Sequence, residues 1–472
     1  MVFSSMTFVP LFLPLVLILY FGFRSPSAKN MVLLLFSLLF YAWGEPKWIF
    51  VMLLTVTVNY ICGLMIDASR NQAKRTLCMI IGVSLSLGFL IYFKYFGFFS
   101  DIFYSLVGGE NPFQKPVLPI GISFYTFQVL TYTVDVYRRK VPVQKSYTKL
   151  LLYVSFFPPL IAGPIVNYTD IAKSLDQRKV EIEDVFQGFL RFFIGFAKKV
   201  LLANTCGVVT DKIIGFGQLS VAGSWLMMIA YALQIYFDFS GYSDMAIGMG
   251  RMIGLHYLEN FDYPYVSRSV TEFWRRWHMS LGTFFRDYVY IPLGGSRCSK
   301  PRMVLNTFIV WALTGLWHGA SWNFVLWGLW FFAFLMLERF FLKKFLDKVP
   351  VLSNLYLLVV VLLGWVIFRY TNTQLGWTLI LSLFGRNGNP LTSFTDEIRF
   401  QSNLFLLAAA GIASTPIMKL LRHKIEDLAH RRGTLGTVWD AAFYSVLPVI
   451  LLLLSTACLV GDSYNPFIYF QF

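Results

Sequence analysis

The sequence predicts an all-α, polytopic integral membrane protein, and three observations lead to this fold class. Of its 472 residues, 57% are hydrophobic and only 14% are charged, which excludes an ordinary soluble globular protein. Apolar stretches long enough to cross a bilayer as helices recur along the whole chain. The basic residues lie in short segments between these stretches. We therefore expect residues 1–472 to form a single membrane domain.

Charge and cysteine content limit the partners of the chain. The 40 Lys and Arg residues against 25 Asp and Glu give a net charge of +15, and such an excess in a polytopic protein usually marks cytoplasmic loops. Nucleic-acid binding would need a basic face on a soluble domain, so we expect the lipid bilayer, and no nucleic acid, as a partner. The 5 cysteines are widely spaced without a CxxC pair, which predicts neither a disulfide framework nor a metal site.

Thirteen apolar segments are candidate membrane spans, and we expect about 10–13 transmembrane or re-entrant helices. Pro158 and Pro159 interrupt one segment. Gly241, Gly248 and Gly250 loosen another. Irregular backbone at membrane depth survives only inside protein or beside a wet cavity, so some segments are expected to be re-entrant. The segments are 7–23, 29–43, 48–66, 76–93, 118–134, 148–165, 184–203, 222–248, 303–320, 322–342, 354–370, 402–421 and 439–461.

The basic loops predict the orientation of the chain. Lysines and arginines concentrate between alternate pairs of spans, which places those loops in the cytoplasm and the N-terminus outside. The basic hairpin from Lys419 to Arg432 is likewise expected in the cytoplasm, so the C-terminus is also expected outside. The basic loops contain Arg24, Lys29, Arg70, Lys74, Arg75, Arg138, Arg139, Lys140, Lys145 and Lys149.

Residues 251–302 depart from the pattern of apolar spans and predict a folded insertion that is partly buried or re-entrant. This segment is rich in Arg, Asp, Tyr and Trp and has no long apolar run. Ser269 and Glu272 have the spacing of a capping box, which predicts that a helix begins there. On that helix Arg275 and His278 lie three residues apart and are expected to share a face.

His318 is the strongest candidate for chemistry because it lies between two strongly apolar stretches. An ionisable side chain at membrane depth is a functional candidate by default, although a neutral histidine bonded inside a helix bundle is equally compatible with the composition. Trp317 is one of several tryptophans around it. Gly315 and Gly319 leave room for a substrate or another backbone to approach.

Three further polar residues lie in or near apolar surroundings. His278 stands among arginines and tryptophans, where a structural role at a membrane interface is favoured over a direct one. No HxxxH or HExxH spacing joins the histidines, so a metal site is not expected. Asp238 and Asp244 lie in an apolar run, and for them helix packing is favoured over catalysis.

The chain ends in NPFIYFQF, residues 465–472, where a polar tail is the ordinary expectation. An aromatic anchor at the membrane interface is the common explanation for such a sequence. The sharper hypothesis is an extracytoplasmic tail, residues 464–472, that inserts into the protein and presents the hydroxyl of Tyr469.

Eight segments of the chain resemble the membrane-bound O-acyltransferase family, and the likeness spans nearly the whole sequence. It is closest to the bacterial branch that O-acetylates alginate and peptidoglycan, and the teichoic acid D-alanyl transfer proteins are relatives of that branch. Each motif is moderately specific, and together they are strong. The segments are MVFSS at 1–5, FYAWGEP at 40–46, LPIGISFYTFQ at 118–128, FFPPLIAGPI at 156–165, FDFSGYSDMAIG at 237–248, EFWRRWHMSLGTFFRDYVYIPLGG at 272–295, GLWHGASWNFVLWG at 315–328 and the C-terminal NPFIYFQF.

The resemblance implies a fold, a location and two histidine roles. The fold implied by the resemblance is a ring of helices around a thinned centre. Funnels from both faces are expected to meet near an essential histidine. His318 matches that histidine, and His278 matches a second recurring histidine or asparagine position. For this branch the resemblance also implies the bacterial cytoplasmic (inner) membrane.

The resemblance implies O-acyl transfer, with acetyl-CoA as the donor substrate and no bound cofactor. The thioester is expected to enter the cytoplasmic funnel, where arginines hold its phosphates by charge-assisted hydrogen bonds. The candidate residues for donor or substrate binding are Arg275, Arg276, Arg286, Trp317, Asp238 and Asp244.

The resemblance also suggests a relay. His318 is expected to act as general base on an attacking hydroxyl, with His278 assisting. Tyr469 is the attractive acceptor, because some relatives carry a similar aromatic C-terminus on a separate small protein. The pKa of tyrosine, about 10, keeps its ester almost as activated as a thioester. An extracytoplasmic SGNH-type or other serine O-acetyltransferase is then the implied partner, with a polysaccharide as final acceptor, because the chain has no GxSxG motif of its own.

Other functions stay open from the residues alone. D-alanyl transfer from a carrier protein to teichoic acid is the main alternative within the family. A transporter also suits buried His and Asp residues and broken spans, although no inverted repeat is evident. A scaffold subunit of an extracellular modification complex is the third alternative. Alginate, cellulose, peptidoglycan and other glycans are all compatible acceptors.

Overall fold

The computed structural model describes residues 2–214, 219–431, 433–461 and Ile468. Every regular element within these residues is helical, which confirms the predicted all-α class. Among them, seven helices are long and apolar enough to cross a membrane, and the pair Phe394–Ala413 and Ile417–His430, bent by 67°, adds an eighth if it is one span. The chain is therefore a multi-pass membrane protein. The seven helices are Pro26–Gly44, Ile49–Ala68, Gln72–Val107, Ile182–Ile214, Trp322–Leu346, Pro350–Arg369 and Thr434–Gly461.

The chain divides into two compact units. The first contains Met1–Phe192 and Met245–Leu258, and the second contains Phe193–Asp244 and Glu259–Phe472. The single membrane domain and the ring of helices stay predictions.

Helices of the first unit begin where the sequence supplies caps. The Ser25 hydroxyl accepts the Ala28 N–H at 3.4 Å, and the Asn71 side chain accepts the Ala73 N–H at 2.8 Å. Each cap satisfies a free donor in the first turn of its helix. The helices of this unit are Leu13–Gly22, Pro26–Gly44, Ile49–Ala68, Gln72–Leu90, Phe96–Val107, Ile122–Tyr137, Tyr147–Ser155, Phe157–Leu160, Tyr168–Asp176 and most of Ile182–Ala197.

Buried polar bonds hold three helices of the first unit together. The Asn59 side chain donates to Ser86 Oγ at 2.7 Å and accepts from Thr133 Oγ1 at 2.6 Å. The three residues lie on three different helices and are fully or almost fully buried. Polar side chains that satisfy one another in this way join helices where apolar packing alone gives little specificity.

Prolines and glycines of the candidate spans have different effects. The helix Tyr147–Ser155 ends ahead of the prolines, and only the short turn Phe157–Leu160 follows, as the sequence predicts. The interpretation of the glycines is wrong, because Val221–Met252 is one continuous helix. A Cβ on Gly241 would lie 2.7 Å from the Gly195 carbonyl oxygen, so this glycine permits close helix packing instead of loosening the helix.

The second unit carries the residues with candidate chemistry. Its core is a buried apolar cluster that includes Trp277, Trp311, Trp327 and Trp365. Val270, Phe273 and Trp277, from the segment 251–302, contribute buried side chains to it; that this segment is a re-entrant insertion stays a prediction. The helices of this unit are Thr205–Ile214, most of Val221–Met252, Val270–Arg276, Met279–Phe285, Lys300–His318, Trp322–Leu337, Lys343–Leu346, Pro350–Arg369, Thr373–Leu383, Phe394–Ala413, Ile417–His430, Thr434–Ala441 and Leu447–Gly461.

Candidate active site

His318 is held at the end of a tightly packed helical hairpin. The helix Lys300–His318 ends at this residue, and the helix Trp322–Leu337 returns beside it. A Cβ on Gly315 would lie 2.4 Å from the Phe324 carbonyl oxygen, so glycine is needed for the two helices to approach this closely. The room left by Gly315 is therefore used by another backbone, which is one of the two uses expected from the sequence.

Aromatic rings enclose the His318 imidazole. The ring centroids of Trp317, Trp327 and Phe368 lie 4.9, 4.8 and 5.1 Å from it, each edge-on. Asn323 donates to the Phe368 carbonyl oxygen at 2.9 Å and so fixes that wall. Only 9% of His318 is exposed. A base in such rigid, water-poor surroundings acts with little competition from solvent.

His278 lies on a sharply turned segment and not, as predicted, on the same helix as Arg275. The helix Val270–Arg276 begins at the predicted cap, where the Ser269 hydroxyl accepts the Glu272 N–H at 3.0 Å. It ends before His278, which has a left-handed backbone conformation with φ 46° and ψ 53°. A residue other than glycine keeps this conformation when its surroundings impose it.

Asn260 supplies that constraint. Its Oδ1 atom accepts the Ser280 N–H at 3.2 Å and the Ser280 hydroxyl at 2.9 Å, and its backbone oxygen accepts the Met279 N–H at 3.0 Å. Because a backbone N–H can only donate, the side-chain atom that faces it must be oxygen. His278 Nδ1 lies 3.2 Å from the same oxygen and therefore carries the proton. The lone pair of neutral His278 is thus on Nε2.

The Nε2 atom of His278 is buried and has no hydrogen-bond partner among the described residues. The residue lies outside the helices long enough to span a membrane, and burial lowers its pKa to about 3. His278 is therefore neutral at physiological pH and offers an acceptor nitrogen to a hydroxyl group. A buried acceptor without a protein partner is a candidate contact for a substrate.

A cavity of about 960 Å³ lies beside His278. Most of its buried lining residues are apolar, including Trp277, Leu281 and Trp311, and the buried polar ones are His278, Thr314 and Glu338. Its exposed charged residues are five basic side chains and Asp347, and we call this exposed part the mouth. An apolar interior with a cationic mouth suits an acyl thioester whose far end carries phosphates. The basic residues are Arg268, Arg275, Arg286, Arg339 and Lys343.

Two of the three predicted arginines reach this cavity. Arg275 and Arg286 line it, and Arg286 also pairs with its neighbour Asp287 through two bonds of 2.7 and 3.2 Å. Arg276 is not among the described lining residues, and its guanidinium lies 2.9 Å from Glu272 and 3.2 Å from an Asp262 oxygen. Arg275 and Arg286 thus remain candidates for binding the acyl donor, whereas Arg276 is held in a local ion-pair network.

Trp317 brings the two histidines to one place. Its ring centroid lies 5.6 Å from the His278 ring and 4.9 Å from the His318 ring. His278 lines the cavity, whereas His318 is not among its described lining residues, so the indole connects a histidine of the cavity wall with one behind it. Within the described ranges, no three His, Cys, Asp or Glu side chains gather as metal ligands would.

Glu338 is a buried residue of the cavity wall that the sequence did not single out. Its carboxylate accepts the Val270 and Thr271 N–H groups at 2.5 and 3.0 Å and the Thr271 hydroxyl at 2.8 Å. These donors form the first turn of the helix Val270–Arg276, where free N–H groups and the helix dipole favour an anion. Glu338 therefore anchors the helix that carries Arg275.

Asp238 and Asp244 form ion pairs with lysines. Asp238 Oδ1 lies 2.6 Å from Lys199 Nζ, and Asp244 Oδ2 lies 2.7 Å from Lys198 Nζ. Both lysines belong to the π-helical segment Lys198–Asn204. The two ion pairs link this segment to the helix that carries both carboxylates.

The described part of the C-terminal tail is Ile468. Its backbone N–H donates to Asp238 Oδ2 at 2.8 Å. Its buried side chain belongs to the same apolar cluster as Trp327 and Phe368, two of the rings that enclose His318. Tyr469, the predicted acceptor, lies outside the described residues.

Sequence reasoning missed Asn260, Glu338 and Lys199. No local pattern marks Asn260, because its bonds to the His278 segment join residues of two separate turns. Glu338 and Lys199 do carry a signal, since each is a charged residue within a long apolar helical segment. A charge in such a segment requires a partner, and a search for those partners would have led to Thr271 and Asp238.

Comparisons with known proteins agree on one family. The membrane-bound O-acyltransferase family profile matches residues 136–376. A probable alginate O-acetylase of Azotobacter vinelandii is 36% identical over 505 aligned residues, which cover 100% of both chains. A peptidoglycan O-acetyltransferase of Helicobacter pylori is 29% identical and aligns with 100% of this chain and 98% of its own. A teichoic acid D-alanyltransferase of Bacillus subtilis is 30% identical but aligns with only 50% of this chain and 62% of its own.

Proposed function

This chain belongs to the membrane-bound O-acyltransferase family, and from that premise we propose that it O-acetylates an extracytoplasmic polysaccharide with acetyl-CoA as the donor. Full-length similarity to O-acetylases of alginate and peptidoglycan supports the acetyl group and the polysaccharide. D-alanyl transfer is less favoured because that relative aligns with 50% of the chain. The observation that carries the proposal is the meeting of His318 and His278 at Trp317, beside a cavity with a basic mouth.

The donor is proposed to lie with its phosphates at the mouth and its acyl group toward His278. Arg275 and Arg286 are exposed at the mouth, where they bind phosphate by charge-assisted hydrogen bonds. The pantetheine arm then follows the apolar wall that contains Trp277 and Trp311. Contacts of this kind, remote from the reacting carbonyl, position the thioester for attack.

In the proposed first step, the Tyr469 hydroxyl attacks the carbonyl carbon of the thioester. His318 accepts the phenolic proton as the new C–O bond forms, while His278 Nε2 accepts a hydrogen bond that orients the attacking hydroxyl. The C–S bond then breaks, and the proton passes from His318 to the departing sulfur. The products are an acetyl ester on Tyr469, free CoA as its thiol, and neutral His318.

In the proposed second step, the acetyl group leaves Tyr469 for an extracytoplasmic acceptor. The serine of an SGNH-type or other O-acetyltransferase attacks the tyrosyl ester, the phenol departs, and the serine ester passes the group to a polysaccharide hydroxyl. Phenol, with a pKa of about 10, is a better leaving group than an alkyl alcohol, so the transfer is downhill. Ile468 directly precedes Tyr469 in the sequence. Its buried side chain belongs to the apolar cluster that also contains Trp327 and Phe368, two rings in contact with His318, and this supports the route.

Isotopically labelled acetyl-CoA tests the relay. The purified full-length protein is incubated with the labelled donor, and the C-terminal peptide is analysed by mass spectrometry for wild type, His318→Ala and Tyr469→Phe. Label on Tyr469 that disappears in both variants is the expected result. Donor consumption that depends on His318 without label on the peptide would show that the tail is an anchor and that transfer goes directly to another acceptor.

We also propose that the chain lies in the bacterial cytoplasmic membrane with both termini outside. The basic residues between alternate spans support this orientation. In intact cells, a cysteine introduced at Val141, next to the basic residues that end at Lys140, should resist a membrane-impermeant maleimide. A cysteine introduced at Thr7, which is exposed, should react with the same reagent after partial opening of the outer membrane, and the reverse pattern would invert the topology.

A further inference from the structure

Asp238 is a buried carboxylate with an ion pair at one oxygen and a hydrogen bond at the other. Lys199 Nζ lies 2.6 Å from Oδ1, and the Ile468 backbone N–H donates to Oδ2 at 2.8 Å. The side chains of Asp238 and Lys199 are only 3% and 4% exposed, so water does not compete for either bond. Loss of one donor would leave a charged acceptor buried and partly unsatisfied, which is costly.

We propose that Asp238, neutralised by Lys199, is the docking anchor for the chain's own C-terminal segment. The inference rests on the proposed relay, in which the residue that follows Ile468 in the sequence, Tyr469, is the acceptor. Asp238 is then a positioning residue, since its contact is with the Ile468 backbone and not with the reacting atoms.

Two different contacts define the register of the docked segment. The Ile468 N–H meets the carboxylate, and the Ile468 side chain packs in the apolar cluster that contains Trp327. If the tail shifted by one residue, the Ile468 side chain would leave the apolar cluster. The same shift would move the Ile468 N–H away from Asp238. Neither contact alone has this effect, because every residue offers a backbone N–H and many side chains are apolar. Register matters here because the residue that follows Ile468 is the proposed acceptor.

Backbone substitution tests the anchor while the chain keeps its full length. Cys458 is native and exposed, so residues 458–472 can be replaced by a synthetic segment through ligation at that cysteine. In one segment the amide of Ile468 is replaced by an ester, which removes the N–H and keeps the side chain. Matched controls are the all-amide segment and a segment with an ester at Val460, which lies on the helix Leu447–Gly461 and not at the anchor.

Chymotrypsin cleavage at the tail aromatics reports docking in the absence of donor. A hydrogen bond to a charged buried group is worth enough to change a local equilibrium by about 10- to 100-fold. We expect the Ile468 ester to raise the cleavage rate after Tyr469 by about that factor, while the two control segments give equal, slower rates. Cleavage after Phe467 is not counted, because the bond cut there is the introduced ester itself. Equal rates for all three segments would overturn the anchor.

A pair of charge-neutral double variants separates anchoring from folding. Lys199→Met with Asp238→Asn keeps an acceptor oxygen, whereas Lys199→Met with Asp238→Leu does not. We expect the first pair to retain most of the protection and the second to expose the tail as the ester does. Asp396→Asn is the control for loss of a buried ion-paired carboxylate, since Asp396 lies 3.3 Å from Arg399, and it should leave the tail protected.

The anchor and the relay fail in different ways. Protection that depends on the Ile468 N–H without label on Tyr469 would keep the anchor and reject the relay. Label on Tyr469 at the same rate in the ester and all-amide chains would keep the relay and reject the anchor. If both hold, the ester should lower kcat for tail acetylation and leave the KM for acetyl-CoA unchanged, because the donor cavity is untouched.

Discussion

The regions around the two histidines are built on different physical principles. His318 ends a long helix whose position follows from close backbone packing at Gly315. His278 lies in a left-handed turn that hydrogen bonds from one side chain, Asn260, hold in place. Packing spreads its stabilisation over many weak contacts, whereas a polar network concentrates it in a few bonds. The first region should therefore be sensitive to crowding and the second to the loss of a single acceptor.

Removal of the imidazole at the two positions should give the largest difference. His318→Ala is expected to lower the rate of acetyl transfer by about 10²- to 10⁴-fold, the usual contribution of a general base. His278→Ala should lower it less, by about 10-fold, because the role proposed for that residue is to accept a hydrogen bond while it stays neutral. Labelled acetyl-CoA turnover measures both. Equal losses would show that the two histidines share one role, with the expression level and melting temperature of each variant as controls.

The second largest effect should come from adding a side chain between the two helices of the His318 hairpin. In Gly315→Ala the new Cβ would lie 2.4 Å from the Phe324 carbonyl oxygen, so the helices must separate and the His318 surroundings open. We expect a loss of about 1–3 kcal/mol in the free energy of unfolding and a lower transfer rate. The measurement is thermal or denaturant unfolding in detergent.

The matched control for the hairpin is Gly411→Ala. No heavy atom lies within 4 Å of a Cβ at Gly411, which is also helical. This variant should be neutral or more stable, by up to about 1 kcal/mol, because alanine favours helix more than glycine does. If both glycine variants behaved alike, close packing would not be what places His318.

Loss of the Asn260 acceptor should have a smaller and more selective effect. Asn260→Ala removes the partner of His278 Nδ1 and of the Ser280 N–H, and we expect about a 10-fold lower kcat, the size of one buried hydrogen bond. The KM for acetyl-CoA should hardly change. Asn260→Asp keeps an acceptor and should recover part of the rate, so failure of this rescue would argue against an orienting role.

The pH dependence of stability should also differ between the two histidine regions. Burial lowers the pKa of His278 to about 3, below the value of about 6.5 for an unfolded histidine. Between these two values the unfolded chain binds more protons at this residue, so its contribution makes the folded chain less stable as the pH falls. Above about pH 6.5 the contribution is constant. Between pH 6 and 4, the free energy of unfolding of His278→Gln should fall less steeply with decreasing pH than that of wild type. The difference in slope should correspond to about one bound proton at most.

Sequence alone predicted the elements that depend on local pattern. The membrane helices follow from apolar length, and the start of the helix Val270–Arg276 follows from the Ser269 cap. The predicted shared face of Arg275 and His278 was wrong, because spacing along the chain carries no information on a break imposed by Asn260. The likeness to the family selected both histidines as candidates, but neither pattern nor likeness indicated which groups hold them. Such partners are set by contacts between distant segments.

Glu338 has a consequence for the kinetics of donor capture. Its carboxylate already occupies the positive end of the helix Val270–Arg276, so an incoming phosphate gains no attraction from that helix end. The phosphate is therefore attracted mainly by the exposed arginines of the mouth, such as Arg275 and Arg286. Charges exposed to solvent are screened over about 8 Å at physiological ionic strength. Added salt should therefore lower the association rate of the donor far more than it raises the dissociation rate. The ionic strength of the solution at the mouth would then set how often the proposed turnover begins, and not how fast it ends.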